Sequence, residues 1–137
     1  MRIVFDTNTL ISALLFRGHS SFLVDLWQNQ ELTVLASNDS VTEFLRVLNY
    51  PKFNLSSLRI ETLANEYLPY VIFVPIDETQ LPDNLPQCRD SKNQQFIDLA
   101  YFGKADALIS GDLDLLVLNG QLPFAVETPA TFKVRML

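Results

Sequence analysis

The segment Arg2-Ile-Val-Phe-Asp-Thr-Asn8 decides the fold class, because it is a short apolar run that ends on a carboxylate. The pattern returns near the other end of the chain, where Ala107-Leu-Ile109 leads into Ser110-Gly-Asp-Leu-Asp114. If both runs are buried parallel strands, their carboxyl ends lie at one edge of a sheet, where open α/β folds bind ligands. Clustered acids repel one another unless a cation neutralises them. The pattern therefore points to a metal-dependent enzyme.

Between these segments, short runs rich in β-branched or aromatic residues alternate with helix-like stretches. This alternation predicts an α/β fold with a central, mostly parallel five-stranded sheet covered on both faces. Strands are predicted at 3–5, 33–36, 71–74, 107–110 and 124–126. Helices are predicted at 8–16, 20–29, 39–49, 56–68, 92–102 and 113–118, and Pro129 then opens a short terminal segment without a predicted helix. The proline-rich stretch 75–89 is predicted to be a long surface loop, either functional or a mobile insertion.

Length and composition indicate one folded domain over residues 1–137. The chain is 48% hydrophobic and 19% charged, unlike a disordered protein. Its net charge of -6 argues against a protein that binds nucleic acid through a broad basic face. A nuclease is still allowed, because bound divalent ions would offset part of the negative charge. The basic residues expected either to guide a phosphate backbone or to form ordinary solvated surface are Arg17, Arg46, Arg89, Lys92 and Lys104.

Cysteine usage and hydropathy suggest a cytoplasmic protein. Cys88 is the single cysteine, so no disulfide can form within the chain. The amino terminus lacks the apolar run of a signal peptide. No stretch approaches the roughly 18 apolar residues that a membrane span requires.

Each candidate acid also has a local structural explanation. Asp6 is expected either to face a site or to cap the next helix, and Asn8 is an alternative cap. The pair Asp112 and Asp114 fits the first turn of a helix, where its dipole favours acids. Glu43 fits a capping box with Ser40. Asp90 fits the cap of the helix near residue 92.

Helix capping and dipole effects explain each acid separately, but they do not predict that the acids share a placement at strand or loop ends. An all-oxygen ligand set selects Mg²⁺ or Mn²⁺, whereas zinc favours the His and Cys side chains of which this chain has only His19 and Cys88. Such cations complete their shells with water and substrate phosphate. Phosphoryl chemistry is therefore the predicted reaction class.

Four segments, in order, resemble the PIN-domain family, and particularly the VapC-like toxins of bacterial toxin-antitoxin systems. They are Ile3-Val-Phe-Asp-Thr-Asn8, Ser40-Val-Thr-Glu-Phe-Leu-Arg-Val-Leu48, Cys88-Arg-Asp-Ser-Lys-Asn-Gln-Gln-Phe-Ile-Asp-Leu-Ala100 and Lys104-Ala-Asp-Ala-Leu-Ile-Ser-Gly-Asp-Leu-Asp-Leu-Leu116.

The resemblance implies a three-layer α/β/α fold and a metal-dependent ribonuclease that uses one or two Mg²⁺ or Mn²⁺ ions. It also implies a cognate antitoxin and a homodimer or higher oligomer. By position, the implied catalytic acids and metal ligands are Asp6, Glu43, Asp90 and Asp112, with Asp114 as a further ligand and Asn8, Asn93 and Ser110 in support.

Position 93 departs from the family pattern. Relatives of this subgroup usually carry an acid where this chain has Asn93. Either Asp90 then supplies the ligand alone, or metal affinity and turnover are reduced. The alternative function is a degenerate PIN domain that binds RNA or a protein partner without cleavage. A phosphatase with Asp6 as nucleophile is a further alternative, although Asn8 stands where those enzymes have a second Asp.

Overall fold

A five-stranded, fully parallel sheet lies at the centre of the computed structural model, which describes residues 1–16, 18 and 20–136. The strand order is β3-β2-β1-β4-β5, and each neighbouring pair is parallel. All five predicted strands are confirmed. Their bounds are β1 (Arg2–Phe5), β2 (Thr33–Ala36), β3 (Val71–Phe73), β4 (Ala107–Ile109) and β5 (Ala125–Glu127).

The six predicted helices are confirmed, with ends that differ by a few residues. Short 3₁₀ turns lie at Pro51–Phe53, Leu68–Tyr70, Glu78–Gln80 and Ser91–Asn93. The helices are α1 (Thr7–Leu15), α2 (Phe22–Gln28), α3 (Asn38–Leu48), α4 (Ser57–Asn65), α5 (Gln94–Phe102), α6 (Leu113–Leu116) and α7 (Pro129–Met136).

Helix α7 is the element that the sequence analysis did not predict. Pro129 occupies its first position, where the missing N–H costs nothing because that group has no partner within the helix. The Thr128 hydroxyl accepts a hydrogen bond from the N–H of Thr131 at 3.1 Å. Phe132 is fully buried in the core. The sequence analysis described this stretch only as a short terminal segment and so missed the helix.

Side chains of the central strands are buried on both faces of the sheet, which produces the three-layer α/β/α arrangement. Successive strand residues point to opposite faces. Ile3 and Phe5 accordingly join a core that includes Trp27 and Phe44. Val4, between them, joins a second core.

Strands β1 and β4 are neighbours, and their register places the two acid-bearing segments together. Ile3 pairs with Ala107 and Phe5 with Ile109. The N–H of Asp6 continues the ladder by donating to the carbonyl of Ile109 at 3.2 Å. Asp6 and Ser110 therefore leave the sheet at the same carboxyl edge.

The stretch 75–89 is a loop apart from its one 3₁₀ turn, as predicted. It is attached to the core, because Leu85 and Cys88 are buried in the second cluster. The N–H of Cys88 also donates to Oε1 of Gln94 at 2.6 Å. Whether the loop has a function stays a prediction.

None of the helices in the described ranges is both long enough and apolar enough to cross a membrane.

Candidate active site

Asp6 lies at the junction of β1 and α1 and is only 4% exposed. Its Oδ1 accepts a hydrogen bond from the N–H of Thr9 at 2.8 Å, so it caps α1. Its Oδ2 accepts a hydrogen bond from the hydroxyl of Ser110. The predicted cap is therefore confirmed for one carboxylate oxygen, while the other faces the second acid-bearing segment.

Ser110 connects the two segments. Its side chain has no solvent exposure. The hydroxyl donates to Asp6 and accepts from the N–H of Asp112 at 2.9 Å. A single hydroxyl thus joins acids from opposite ends of the sequence.

The electrostatic environment of Asp6 opposes its charged form. Burial raises the pKa of this carboxyl, and hydrogen bonds from Ser110 and Thr9 lower it in part. The nearby charge of Asp112 raises the pKa of Asp6 further. A cation beside these two carboxylates would favour ionised Asp6.

Asp112 caps the short helix α6 and has hydrogen bonds to both carboxylate oxygens. Oδ1 accepts from the N–H of Asp114 at 2.9 Å. Oδ2 accepts from the side-chain amide of Asn93 at 2.8 Å. Asp114 is half-buried, and its backbone carbonyl accepts a hydrogen bond from the thiol of Cys88 at 3.5 Å.

The predicted capping box between Ser40 and Glu43 is wrong. Helix α3 begins at Asn38, earlier than predicted, so the box forms between Ser37 and Ser40. The Ser37 hydroxyl accepts from the N–H of Ser40 at 3.1 Å, and the Ser40 hydroxyl accepts from the N–H of Ser37 at 2.9 Å. Glu43 therefore has no part in capping.

Glu43 instead contacts α1 and α5. Its Oε2 accepts hydrogen bonds from the hydroxyl of Thr7 and from Nε2 of Gln95, the latter at 3.4 Å. Arg46 forms an ion pair with Oε1 at 3.5 Å. The sequence analysis missed Thr7 and Gln95, because no local pattern signals a contact between residues 36 and 52 positions apart.

Asn8 and Asp90 lie apart from the hydrogen bonds that link Asp6 to Asp112 through Ser110. Asn8 lies inside α1, so the alternative that it caps this helix is wrong, and it borders the cleft beside Asp6. Asp90 is exposed and accepts from the N–H of Lys92 at 3.0 Å. Within the described residues, no side-chain hydrogen bond connects Asp90 to Asp6, Glu43 or Asp112.

The predicted basic residues are dispersed. Arg46 donates to the hydroxyl of Tyr50 at 2.7 Å besides pairing with Glu43. Arg89 and Lys92 are exposed beside Asp90. Lys104 precedes β4 and so lies at the opposite edge of the sheet from the acids, where it does not border the site. Arg17 lies outside the described residues, as does His19.

An open cleft of about 340 Å³ borders the acids. Asp6, Gly111 and Asp112 all border it. The other lining residues are Asn8, Thr9, Ser12, Ser20 and Pro129. A polar ligand in this cleft would therefore meet the two linked carboxylates.

The carboxylate and amide oxygens at the site are of the type that binds a hard cation, but the carboxylates accept hydrogen bonds from protein side chains. Among residues 1–16, 18 and 20–136, no three His, Cys, Asp or Glu side chains are arranged to hold a metal ion. The carboxylates of Asp6, Asp112 and Glu43 accept side-chain hydrogen bonds from Ser110, Asn93 and Thr7, respectively. Near Glu43, Oε1 of Gln95 is buried and has no hydrogen-bond partner. Carboxylate and amide oxygens are the ligands that Mg²⁺ and Mn²⁺ select. The predicted ligand set remains a prediction.

Comparison with known proteins agrees with this architecture. The sequence matches the PIN domain family over residues 2–114. No curated protein sequence matches it. The fold is similar to that of a chain in the crystal structure of VapBC2 from Rickettsia felis bound to a DNA fragment from their promoter, with a TM-score of 0.60 and 12% identity. That similarity covers 93% of this chain and 98% of the other. Since the family match spans most of the sequence, the chain belongs to the PIN-domain family.

Proposed function

We propose that this protein is a metal-dependent endoribonuclease that hydrolyses RNA phosphodiester bonds, and that it is the toxin of a toxin-antitoxin pair. The observation that carries the proposal is the link from Asp6 through Ser110 to Asp112 beside an open cleft. Membership of the PIN-domain family supports the same reaction class.

Asp6, Glu43 and Asp112 are the residues proposed to hold Mg²⁺ or Mn²⁺, with Asp90 and Asp114 as the further predicted acids. A bound ion would supply Lewis-acid activation of water and stabilise charge on the attacked phosphate. Water adds to phosphorus and the bond to the 3′ oxygen breaks, which leaves a 5′-phosphate and a 3′-hydroxyl.

The protein groups around these acids have separate roles in the proposal. Ser110 keeps the Asp6 carboxylate directed towards Asp112, and Thr7 keeps Glu43 at the junction of α1 and α3. Asn8 is exposed at the cleft, where its amide is available to an RNA phosphate or sugar. No side-chain nucleophile is needed.

The proposed partners are RNA and a cognate antitoxin. The structural neighbour is a VapBC2 complex, which motivates the antitoxin. A homodimer or higher oligomer is expected from the family resemblance.

The test is RNA cleavage by the purified protein with Mg²⁺ or Mn²⁺ and with EDTA. Asp6→Asn is the decisive variant, because Asn is as good a helix cap as Asp and preserves the start of α1. The matched control is Asp83→Asn in the exposed loop. We expect cleavage by the wild type and the control with metal, and none by Asp6→Asn. Cleavage that persists both in EDTA and in Asp6→Asn would overturn the proposal.

The second candidate is a degenerate PIN domain that binds RNA or a protein without cutting. The feature that favours it is Asn93, which stands where the family resemblance leads us to expect an acid. Calorimetry separates the two functions. A folded protein that neither binds Mn²⁺ nor cleaves RNA would support the binding function.

A further inference from the structure

Asn93 occupies the position before α5, yet its side chain does not cap this helix. Asn at such a position commonly accepts a hydrogen bond from an N–H of the first turn. Here no such bond forms. The amide instead donates to Oδ2 of Asp112 at 2.8 Å, which reaches across 19 residues of sequence. The Asn93 side chain therefore bonds to an acid of the site and does not stabilise the start of its own helix.

A second amide from the same stretch contacts another acid of the site. Gln95 donates from Nε2 to Oε2 of Glu43 at 3.4 Å. Two neutral donors from positions 93 and 95 thus contact carboxylates from α3 and from the start of α6. A neutral N–H donor attracts a carboxylate oxygen.

A carboxylate at position 93 would have the opposite effect. It would stand within hydrogen-bonding distance of Asp112 and replace an attraction by a repulsion. A shared cation would relieve that repulsion, as would protonation of one of the two carboxyls. A carboxylate at position 93 would therefore make the local structure depend on a bound cation more than Asn93 does.

We propose that Asn93 is a positioning residue that holds Asp112 in place when no divalent cation is bound. It acts through Asp112 and does not itself take part in the chemistry. The structure of the acidic site is then independent of metal, at the cost of one negative charge and therefore of metal affinity. This inference rests on the proposed metal-dependent function of the same site.

The test measures thermal unfolding of Asn93→Asp in EDTA and in saturating Mg²⁺. Asn84→Asp is the matched control, because it adds the same charge in the exposed loop. In EDTA we expect Asn93→Asp to unfold several degrees below both the wild type and the control. Mg²⁺ should raise the Tm of Asn93→Asp by more than it raises the Tm of the wild type and of the control, because the added charge makes both the ion's affinity and the repulsion it relieves larger in this variant. Calorimetry should show Mg²⁺ binding about tenfold tighter to Asn93→Asp, since an added ligand charge strengthens cation sites.

A third variant separates positioning from a general structural role. Asn93→Ala removes the donor without adding charge, so its Tm should fall in EDTA and approach the wild type in Mg²⁺. Equal losses in both conditions for the Ala and Asp variants would show a merely structural role and overturn the proposal.

The result in EDTA is decisive even if the proposed function fails. If Asn93→Asp and Asn84→Asp have the same Tm in EDTA, Asn93 does not hold Asp112 in place. If no variant responds to Mg²⁺ or Mn²⁺, the metal-dependent function fails, while the comparison in EDTA still determines the role of Asn93.

Discussion

Replacing Ser110 by Ala removes the hydroxyl that joins the two acid-bearing segments. In the wild type this buried hydroxyl donates to Asp6 and accepts from the N–H of Asp112. The variant leaves one carboxylate oxygen and one N–H without their protein partners. It also removes a hydrogen bond that lowers the pKa of Asp6. We therefore expect loss of both stability and activity.

The expected loss of stability follows from the two hydrogen bonds. A hydrogen bond to a charged group contributes about 1.5–3 kcal/mol and a neutral one about 0.5–1.5 kcal/mol, which gives a range of about 2–4.5 kcal/mol. Asp6 borders the open cleft, so water can replace part of the lost interaction. We expect the lower end, about 2 kcal/mol, which corresponds to a Tm decrease of roughly 6 °C for a chain of this size.

Urea unfolding and calorimetry measure this loss, and cleavage of a labelled RNA measures activity. Ser110→Thr keeps the hydroxyl and should retain more activity than Ser110→Ala. Ser57→Ala in the exposed first turn of α4 should change the free energy of unfolding by less than about 0.5 kcal/mol. The reasoning is refuted if Ser110→Ala is as stable as Ser57→Ala and cleaves RNA at the wild-type rate.

Two further variants test the site and the core. Thr7→Val keeps the shape of a buried side chain but removes the donor to Glu43, so we expect RNA cleavage to fall about tenfold in kinetic assays, which is about 1.4 kcal/mol. Thr7→Ser is its control, and equal rates for the Val and Ser variants would contradict a role for the hydroxyl. In Gly103→Ala, the new Cβ would lie 2.6 Å from Cδ1 of Leu35, so we expect a loss of about 1–3 kcal/mol in urea unfolding. Gly111→Ala serves as control, because its new Cβ would have no heavy atom within 4 Å. Equal free energies of unfolding for the two variants would show that the core around Gly103 accommodates the methyl group without loss of stability.

The strands were predictable because their signal is local. Apolar residues on both faces of a short run, followed by a polar turn, predict a strand buried in a parallel sheet. Helix α7 was missed because its stability depends on the burial of Phe132 among distant residues. The start of α3 shows the same limit: the predicted box placed the N-cap at Ser40, three residues after the observed N-cap Ser37, and paired Ser40 with Glu43 instead of Ser37.

The role of the neighbouring polar residues Asp90 and Asn93 shows what the sequence could not resolve. Both lie at the start of the α5 region, and the family resemblance implied Asp90 as a catalytic acid and metal ligand and Asn93 as a supporting residue. In the structure Asp90 accepts from the nearby N–H of Lys92, whereas Asn93 reaches Asp112. Asn93 and Asp112 are 19 residues apart in sequence, so their contact depends on how the two segments pack. No local sequence pattern contains that information.

The sequence by itself determined the strands, most helices and the acids at the ends of β1 and β4, because these depend on local hydrophobic patterns and residue chemistry. Tertiary structure decided which polar groups meet. The parallel register of β1 and β4 brings Asp6 to Ser110, 104 positions away, and packing of α1, α3 and α5 brings Thr7 and Gln95 to Glu43. These contacts arise only when the sheet and its helices share one core, since hydrogen bonds depend on distance in space and not along the chain.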